Sequence, residues 1–179
     1  MQNWVIVDEK YLDYLRGFEP RIPHSNYGEA KLKPFFGALF EVDELVYITQ
    51  VSHPQTRHLS MRNALDFHKI YLPNDPPSSP DRLVAVVNLN YMFPLPKAML
   101  EFLDYSTIEQ HRSFSSSIEK GKYIDLLKKE MTEINKLGIA EKASRLYQLK
   151  LDYPDDKISR RCVDFKFLES KAQDYTSNT

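Results

Sequence analysis

The sequence predicts an α+β protein: a compact curled antiparallel sheet or small β-barrel, with helices packed on it and a helical C-terminal third. Three observations carry this expectation. Runs rich in β-branched and aromatic residues recur through about residue 96. From about Ser116 the apolar spacing becomes that of an amphipathic helix. The 179 residues suffice for one domain with a real core and are too few for two comfortable ones. The expected organisation is one domain over residues 1–179, β-rich to about 96 and helical from about 97 to 175.

The elements follow in order. Asn3 to Val7 reads as a short strand, and Asp8 sits in N-cap position before a helical face of Tyr11, Leu12, Tyr14 and Leu15. Phe18 to Leu32 contains two prolines, a glycine and Ser25-Asn26, so it reads as a long loop of the kind that often carries function. Pro34 to Val42 and Leu45 to Val51 are β-rich on either side of Asp43-Glu44 and predict a hairpin. "SMRNALDFHKIYLP" fits helix or strand, with Phe67, Ile70 and Tyr71 favouring a return to the sheet. After the proline-serine loop Asn74 to Asp81, "RLVAVVNLNYMFPLP" is the strongest buried-strand signal in the chain. Ile118, Tyr123, Leu126, Leu127, Met131, Ile134 and Leu137 then form a helical stripe that Gly138 should stop. "IAEKASRLYQLKLDY" and "KFLESKAQDY" predict two further helices before a frayed "TSNT" tail.

Composition removes several function classes. A net charge of −1 argues against indiscriminate coating of nucleic acid, which needs many cations on phosphates. The single cysteine, Cys162, rules out an internal disulfide or a thiolate zinc site and fits a reducing compartment. "MQNWVIVDEKYLDYL" has acids by position 8 and no long apolar run. Neither a signal peptide nor a membrane span is expected, and the expected location is cytoplasmic. No GxxxxGK, GxGxxG or HExxH motif occurs.

Charge is nonetheless concentrated. Residues 45–72 hold Arg57, Arg62 and Lys69 against one acid, Asp66, together with three histidines; residues 112–150 hold nine basic and five acidic residues. Two positive stretches in a slightly acidic chain suit one polyanionic partner bound at a defined place. The first stretch begins with "YITQVSHPQTRH", a strand ending in hydroxyl, imidazole, amide and guanidinium groups. Metal-free RNA cleavage requires a proton acceptor for the 2′-hydroxyl, a cation for the phosphate and a donor for the leaving oxygen. His53 can transfer protons near neutral pH, Lys33 or Arg57 can hold the phosphate, and Ser52 or Tyr27 can position an oxygen. The histidines share no metal-ligand spacing, so neither metal nor cofactor is expected. Ser52 and His53 are adjacent on an extended chain and should point to opposite faces unless Pro54 or a bulge turns the backbone.

The order of motifs is one of a known family. "KYLDYL", Ile22-Pro23, a tyrosine in the following loop, "KPFFGALFEV", "YITQVSHP" and "VNLNYMFPLP" together resemble the ToxN/AbiQ family of type III toxin-antitoxin endoribonucleases. The resemblance covers roughly residues 4–96, and the helical third by character only. It implies a barrel related to the Kid/MazF toxins and cleavage leaving 2′,3′-cyclic phosphate and 5′-hydroxyl ends. It also implies inhibition by a small repeated pseudoknot RNA, closed toxin–RNA rings and abortive phage infection. The substrate would be cellular or phage RNA. Carried over, the family's active-site tyrosine, lysine and first hydroxyl fall on Tyr27, Lys33 and Ser52. The family's second hydroxyl is replaced by His53 and its lysine by Gln55. The expected repair gives His53 a proton-transfer role and Arg57 the lost charge, with Tyr11 near the RNA. Lys31, Gln55, His58, Arg62, Lys69, Lys120, Lys122 and Lys128 complete the candidate RNA contacts. Loss of that lysine leaves open an alternative, a module of the same fold that grips structured RNA or protein without cutting it.

Overall fold

The centre of the molecule is set by its most apolar stretch. In the computed structural model, which describes residues 2–25, 31–74 and 80–177, Arg82–Pro96 forms one long strand. In chain order the strands are β1 Asn3–Ile6, β2 Phe35–Gly37, β3 Glu41–Val42, β4 Leu45–Ser52, β5 Phe67–Leu72, β6 Arg82–Pro96 and β7 Glu101–Phe102. The helices are α1 Glu9–Arg16, α2 Thr56–Ser60, α3 Ser117–Lys136, α4 Ile139–Asp152 and α5 Phe165–Ser177.

All pairings are antiparallel, in the order β5-β6-β4-β2-β1-β7, with β3 attached to β4. The two ends of this path are different strands, so the sheet is curled but unclosed and the barrel alternative falls away. Helix α5 packs on β6 and α1, and α3 packs against β5. Val86, Val87, Leu89, Met92, Phe93 and Leu95 of β6 are consequently fully buried. That is why this strand reads as a nearly continuous apolar run.

Local chemistry fixes the ends of the elements. Asp8 caps α1 by accepting from Lys10 N at 2.9 Å, as its position predicts. Gly138, at φ +62, takes the left-handed conformation that separates α3 from α4. The hairpin forms around Asp43-Glu44, and the ambiguous segment after Met61 does return to the sheet as β5. One element of the stripe is corrected: Ile118 lies in the first turn of α3 and is 69% exposed.

Gly37 is required by close packing of two strands. A Cβ there would come within 2.6 Å of Ile48 Cγ2 on the neighbouring β4. Gly37→Ala should lower unfolding stability by about 1–3 kcal/mol, the usual cost of forcing extra volume into a filled core. Denaturant melts check this, and an unchanged midpoint would show that Ile48 moves aside freely.

Candidate active site

Three of the four residues expected to do chemistry meet in one cavity of about 70 Å³. Its lining includes Lys33, Ser52, His53, Arg112, Tyr123 and Glu130, set among apolar Trp4, Leu32, Val51, Leu126 and Leu127. The fourth, Tyr27, falls outside the described residues.

Ser52 is the last residue of β4, paired with Val86. His53 follows where the strand has ended, ahead of Pro54. The opposite-face rule for adjacent strand residues therefore stops applying at the position where it would have separated the two. β4 carries a register shift between Ile48 and Gln50 just upstream.

Lys33 is held through its backbone. Its N–H donates to Ser25 O at 2.8 Å. Ser25 N in turn donates to Glu9 Oε2 at 2.9 Å, and Arg16 and His24 also converge on the Glu9 carboxylate. Burial alone would raise the Glu9 pKa, but hydrogen bonds from Ser25, then Arg16 and His24, bring it to about 2. Helix α1 thus anchors the loop that precedes the lysine. On the other side of Lys33, Leu32 O accepts from Tyr123 Oη at 3.1 Å and from Arg112 Nη1 at 3.4 Å.

Arg112 is the residue that sequence reasoning missed. It lies beyond β7 and a 3-10 turn over Tyr105–Gln110 that returns the chain to the cavity. Its guanidinium carbon lies 4.1 Å from the Tyr123 ring centre, a stacked cation–π contact. Its Nε–H is buried with no hydrogen-bond partner among the described residues. A donor left in that state is costly unless an acceptor arrives with a ligand. In the sequence Arg112 was only one of nine basic residues in the 112–150 stretch, with no motif around it.

The electrostatics follow from this arrangement. Partial burial, then the positive charges of Lys33 and Arg112, hold the His53 imidazole below its ordinary pKa. It is neutral at pH 7, with two cations beside it. Glu130 is 6% exposed and burial pushes its pKa up to about 7. Periodicity does contain a signal for Glu130: it falls three residues after Leu127 and four before Ile134, on the buried face of α3.

Other expected contacts are rearranged. Tyr11 is fully buried, its hydroxyl donating to Pro94 O at 2.6 Å and its ring edge-on to Tyr175. It is a core residue, and the expectation that it lies near RNA is corrected. His58 is also corrected: at 4% exposure its Nδ1 accepts from Gln55 N at 2.8 Å, capping α2. Gln55 and Arg57 are exposed on and before α2 and do not line the cavity, so the place expected for Arg57 is taken by Arg112. Lys31 is exposed two residues from Lys33.

The remaining cations lie elsewhere. Lys69 Nζ donates to Leu59 O at 3.1 Å. Arg62 lines a separate cavity with Asp66, Asn88, Asn90 and Arg161. Lys120 pairs with Glu109 at 3.0 Å. Lys122 and Lys128 line a groove of about 640 Å³ together with Arg82 and Lys129, between α3 and the end of β5. No helix among the described residues is long and apolar enough to cross a membrane.

Comparison with known proteins agrees with the architecture. Curated protein sequences give no match. Three solved structures share the fold. One comes from work on selective toxin inhibition by a non-coding RNA pseudoknot in bacterial type III toxin-antitoxin systems. It is 19% identical over 98% of each chain, with a TM-score of 0.73. AbiQ, a lactococcal anti-phage endoribonuclease of the type III class, is 16% identical over 99% of each chain, with a TM-score of 0.72. A protein of a bacterial antiviral system regulated by a processed non-coding RNA is 22% identical, covering 96% of this chain and 98% of its own, with a TM-score of 0.69. The family described as toxin ToxN of the type III toxin-antitoxin system matches residues 3–173, nearly the whole chain, and the protein belongs to that family.

Proposed function

We propose that this ToxN-family toxin is an endoribonuclease that cuts RNA by attack of a 2′-hydroxyl on the adjacent phosphate. The observation that carries the reading is the convergence of Lys33, Ser52 and His53 with Arg112 on one cavity. Neutral His53 takes the 2′-hydroxyl proton, and O2′ bonds to phosphorus as the bond to the 5′-oxygen breaks. Lys33 and Arg112 bear the charge that grows on the non-bridging oxygens, and Ser52 orients one of them. Water at the open side of the cavity protonates the departing 5′-oxygen. The products carry a 2′,3′-cyclic phosphate and a 5′-hydroxyl. With the Tyr27 hydroxyl retained as a further oxygen-positioning group, side chains and water fill every role, so the reaction needs no divalent metal.

The cognate inhibitor is a repeated RNA that folds as a pseudoknot, the shape of the non-coding RNA that inhibits the toxin of the related work, and it closes into rings with the toxin. Its phosphates meet the groove of Arg82, Lys122, Lys128 and Lys129, while Lys31, Arg57, Arg62 and Lys69 offer a second set of cations. Purified toxin should generate new 5′-hydroxyl ends on mixed RNA in EDTA. Activity that EDTA abolishes and magnesium or zinc restores, on RNA that stays folded, would overturn metal independence. Binding without new ends would favour the non-cleaving module.

A further inference from the structure

Glu130 is the one lining carboxyl the proposed reaction does not use. It projects from α3 on the same face as Tyr123 and Leu127. It makes no hydrogen bond or ion pair with the described residues, although the whole residue is only 6% exposed. A carboxyl that lines a cavity, is little exposed and has no protein partner is one that a ligand's donors can reach and satisfy.

Its position relative to the cations is informative. Lys33 and Arg112 both act on His53, whereas burial is the sole cause of the Glu130 shift, and neither cation forms an ion pair with it. The cavity lining therefore offers two kinds of group: cations that act on His53, and a carboxyl carried on α3 with Tyr123, Leu126 and Leu127. A nucleotide carries the matching pair, an anionic phosphate and a flat base with a hydrogen-bonding edge.

We infer that Glu130 is a specificity-determining residue that reads a guanine next to the phosphate held by Lys33 and Arg112. Guanine presents two adjacent donors, N1–H and N2–H, on its Watson–Crick edge, which match the two oxygens of one carboxylate. The edges of adenine, cytosine and uracil each place an acceptor where a carboxylate needs a donor. A protonated carboxyl has one donor and one acceptor and loses this preference. Guanine selectivity should thus grow with pH as Glu130 ionises. The other charged or titratable groups facing the cavity are Lys33, His53, Arg112 and Tyr123; β1 and β6 contribute Trp4 and Ala85, which do not titrate. Of these, His53 has its pKa lowered from 6.5 by burial and the two cations, and because it borders the phosphate its titration acts on all the hexamers alike.

The inference rests on the ribonuclease reading of the cavity, and two readouts separate their failures. Fluorescein-labelled dT hexamers carrying a single dG, dA or dC cannot be cut, because they lack the 2′-hydroxyl. At pH 8 the dG hexamer should bind wild type at least about tenfold tighter than the others, a bidentate base contact being worth that much. At pH 6 the advantage should shrink several-fold. Glu130→Gln, with a donor and an acceptor at every pH, should show no pH dependence, and Glu130→Asp, one methylene short, should retain only part of the preference. Sequenced cleavage ends of mixed RNA should show the same guanine bias in wild type and its loss in Glu130→Gln. Equal binding of all hexamers at both pH values overturns the role of Glu130, as does a bias that survives Glu130→Gln. The pH series on unmodified protein needs no variant to fold. Guanine-selective binding without any RNA cleavage would instead overturn the ribonuclease reading and leave the base contact standing.

Discussion

Arg112→Ala should lower the RNA cleavage rate by about 10²–10³-fold, the loss typical of removing one preorganised donor from a developing oxyanion. The guanidinium is stacked on Tyr123 and its buried Nε–H is unmatched, so its orientation is set before substrate arrives. Lys33→Ala should have an effect of similar size, because both cations border the same imidazole. Arg112→Lys retains a charge but not the flat stack or the fork of donors, and should recover only part of the rate. The structural share of Arg112 is one 3.4 Å hydrogen bond to Leu32 O and its contacts with the Tyr123 and Phe114 rings. Denaturant melts should register about 1–2 kcal/mol for it. A wild-type rate in Arg112→Ala would return the phosphate charge to Arg57 or to the loop.

His53→Ala should cost about 10²–10⁴-fold and change the shape of the pH–rate profile. A general base works in its neutral form. Because the His53 pKa is lowered from 6.5, the wild-type rate on saturating RNA, where binding no longer limits, should rise with pH through a value below 6.5 and then level. His53→Ala should lose that acidic limb. The same electrostatics couple the two predictions: removing Lys33 or Arg112 removes a cation that disfavours imidazolium, so the limb should move to higher pH in either variant. A His53→Ala enzyme that keeps the limb would assign the titration to another group and His53 to positioning or RNA stacking.

Much of the sheet was legible because its signals are local. β6 is apolar along most of its length since it is paired on both sides, with β5 and β4, and lies under α5, and Asp43-Glu44 marks the hairpin turn. Closure was not legible: whether β5 meets β7 depends on pairings distant in sequence, and the path ends open. Within the site, Lys33, Ser52 and His53 could be picked from the motif order. Arg112 could not, since its place depends on a return of the chain from β7 and on a ring, Tyr123, eleven residues further on. Tyr11 misled for a related reason. A tyrosine reads as a surface stacking group until its hydroxyl finds a buried acceptor, here Pro94 O. His58 misled because an imidazole next to an arginine suggests an RNA contact, while its Nδ1 is spent on capping α2.

The central claim is that RNA is cut by its own 2′-hydroxyl in the cavity of Lys33, Ser52, His53 and Arg112. The most direct test is a single-turnover reaction in EDTA on an RNA cut at one mapped position, beside the same RNA carrying a single 2′-deoxy sugar immediately 5′ to the cut. Wild type should convert the first to a 2′,3′-cyclic phosphate and a 5′-hydroxyl fragment and leave the second intact at that position. Cleavage of the 2′-deoxy strand at the same bond, or products ending in 3′-hydroxyl and 5′-phosphate, would contradict it.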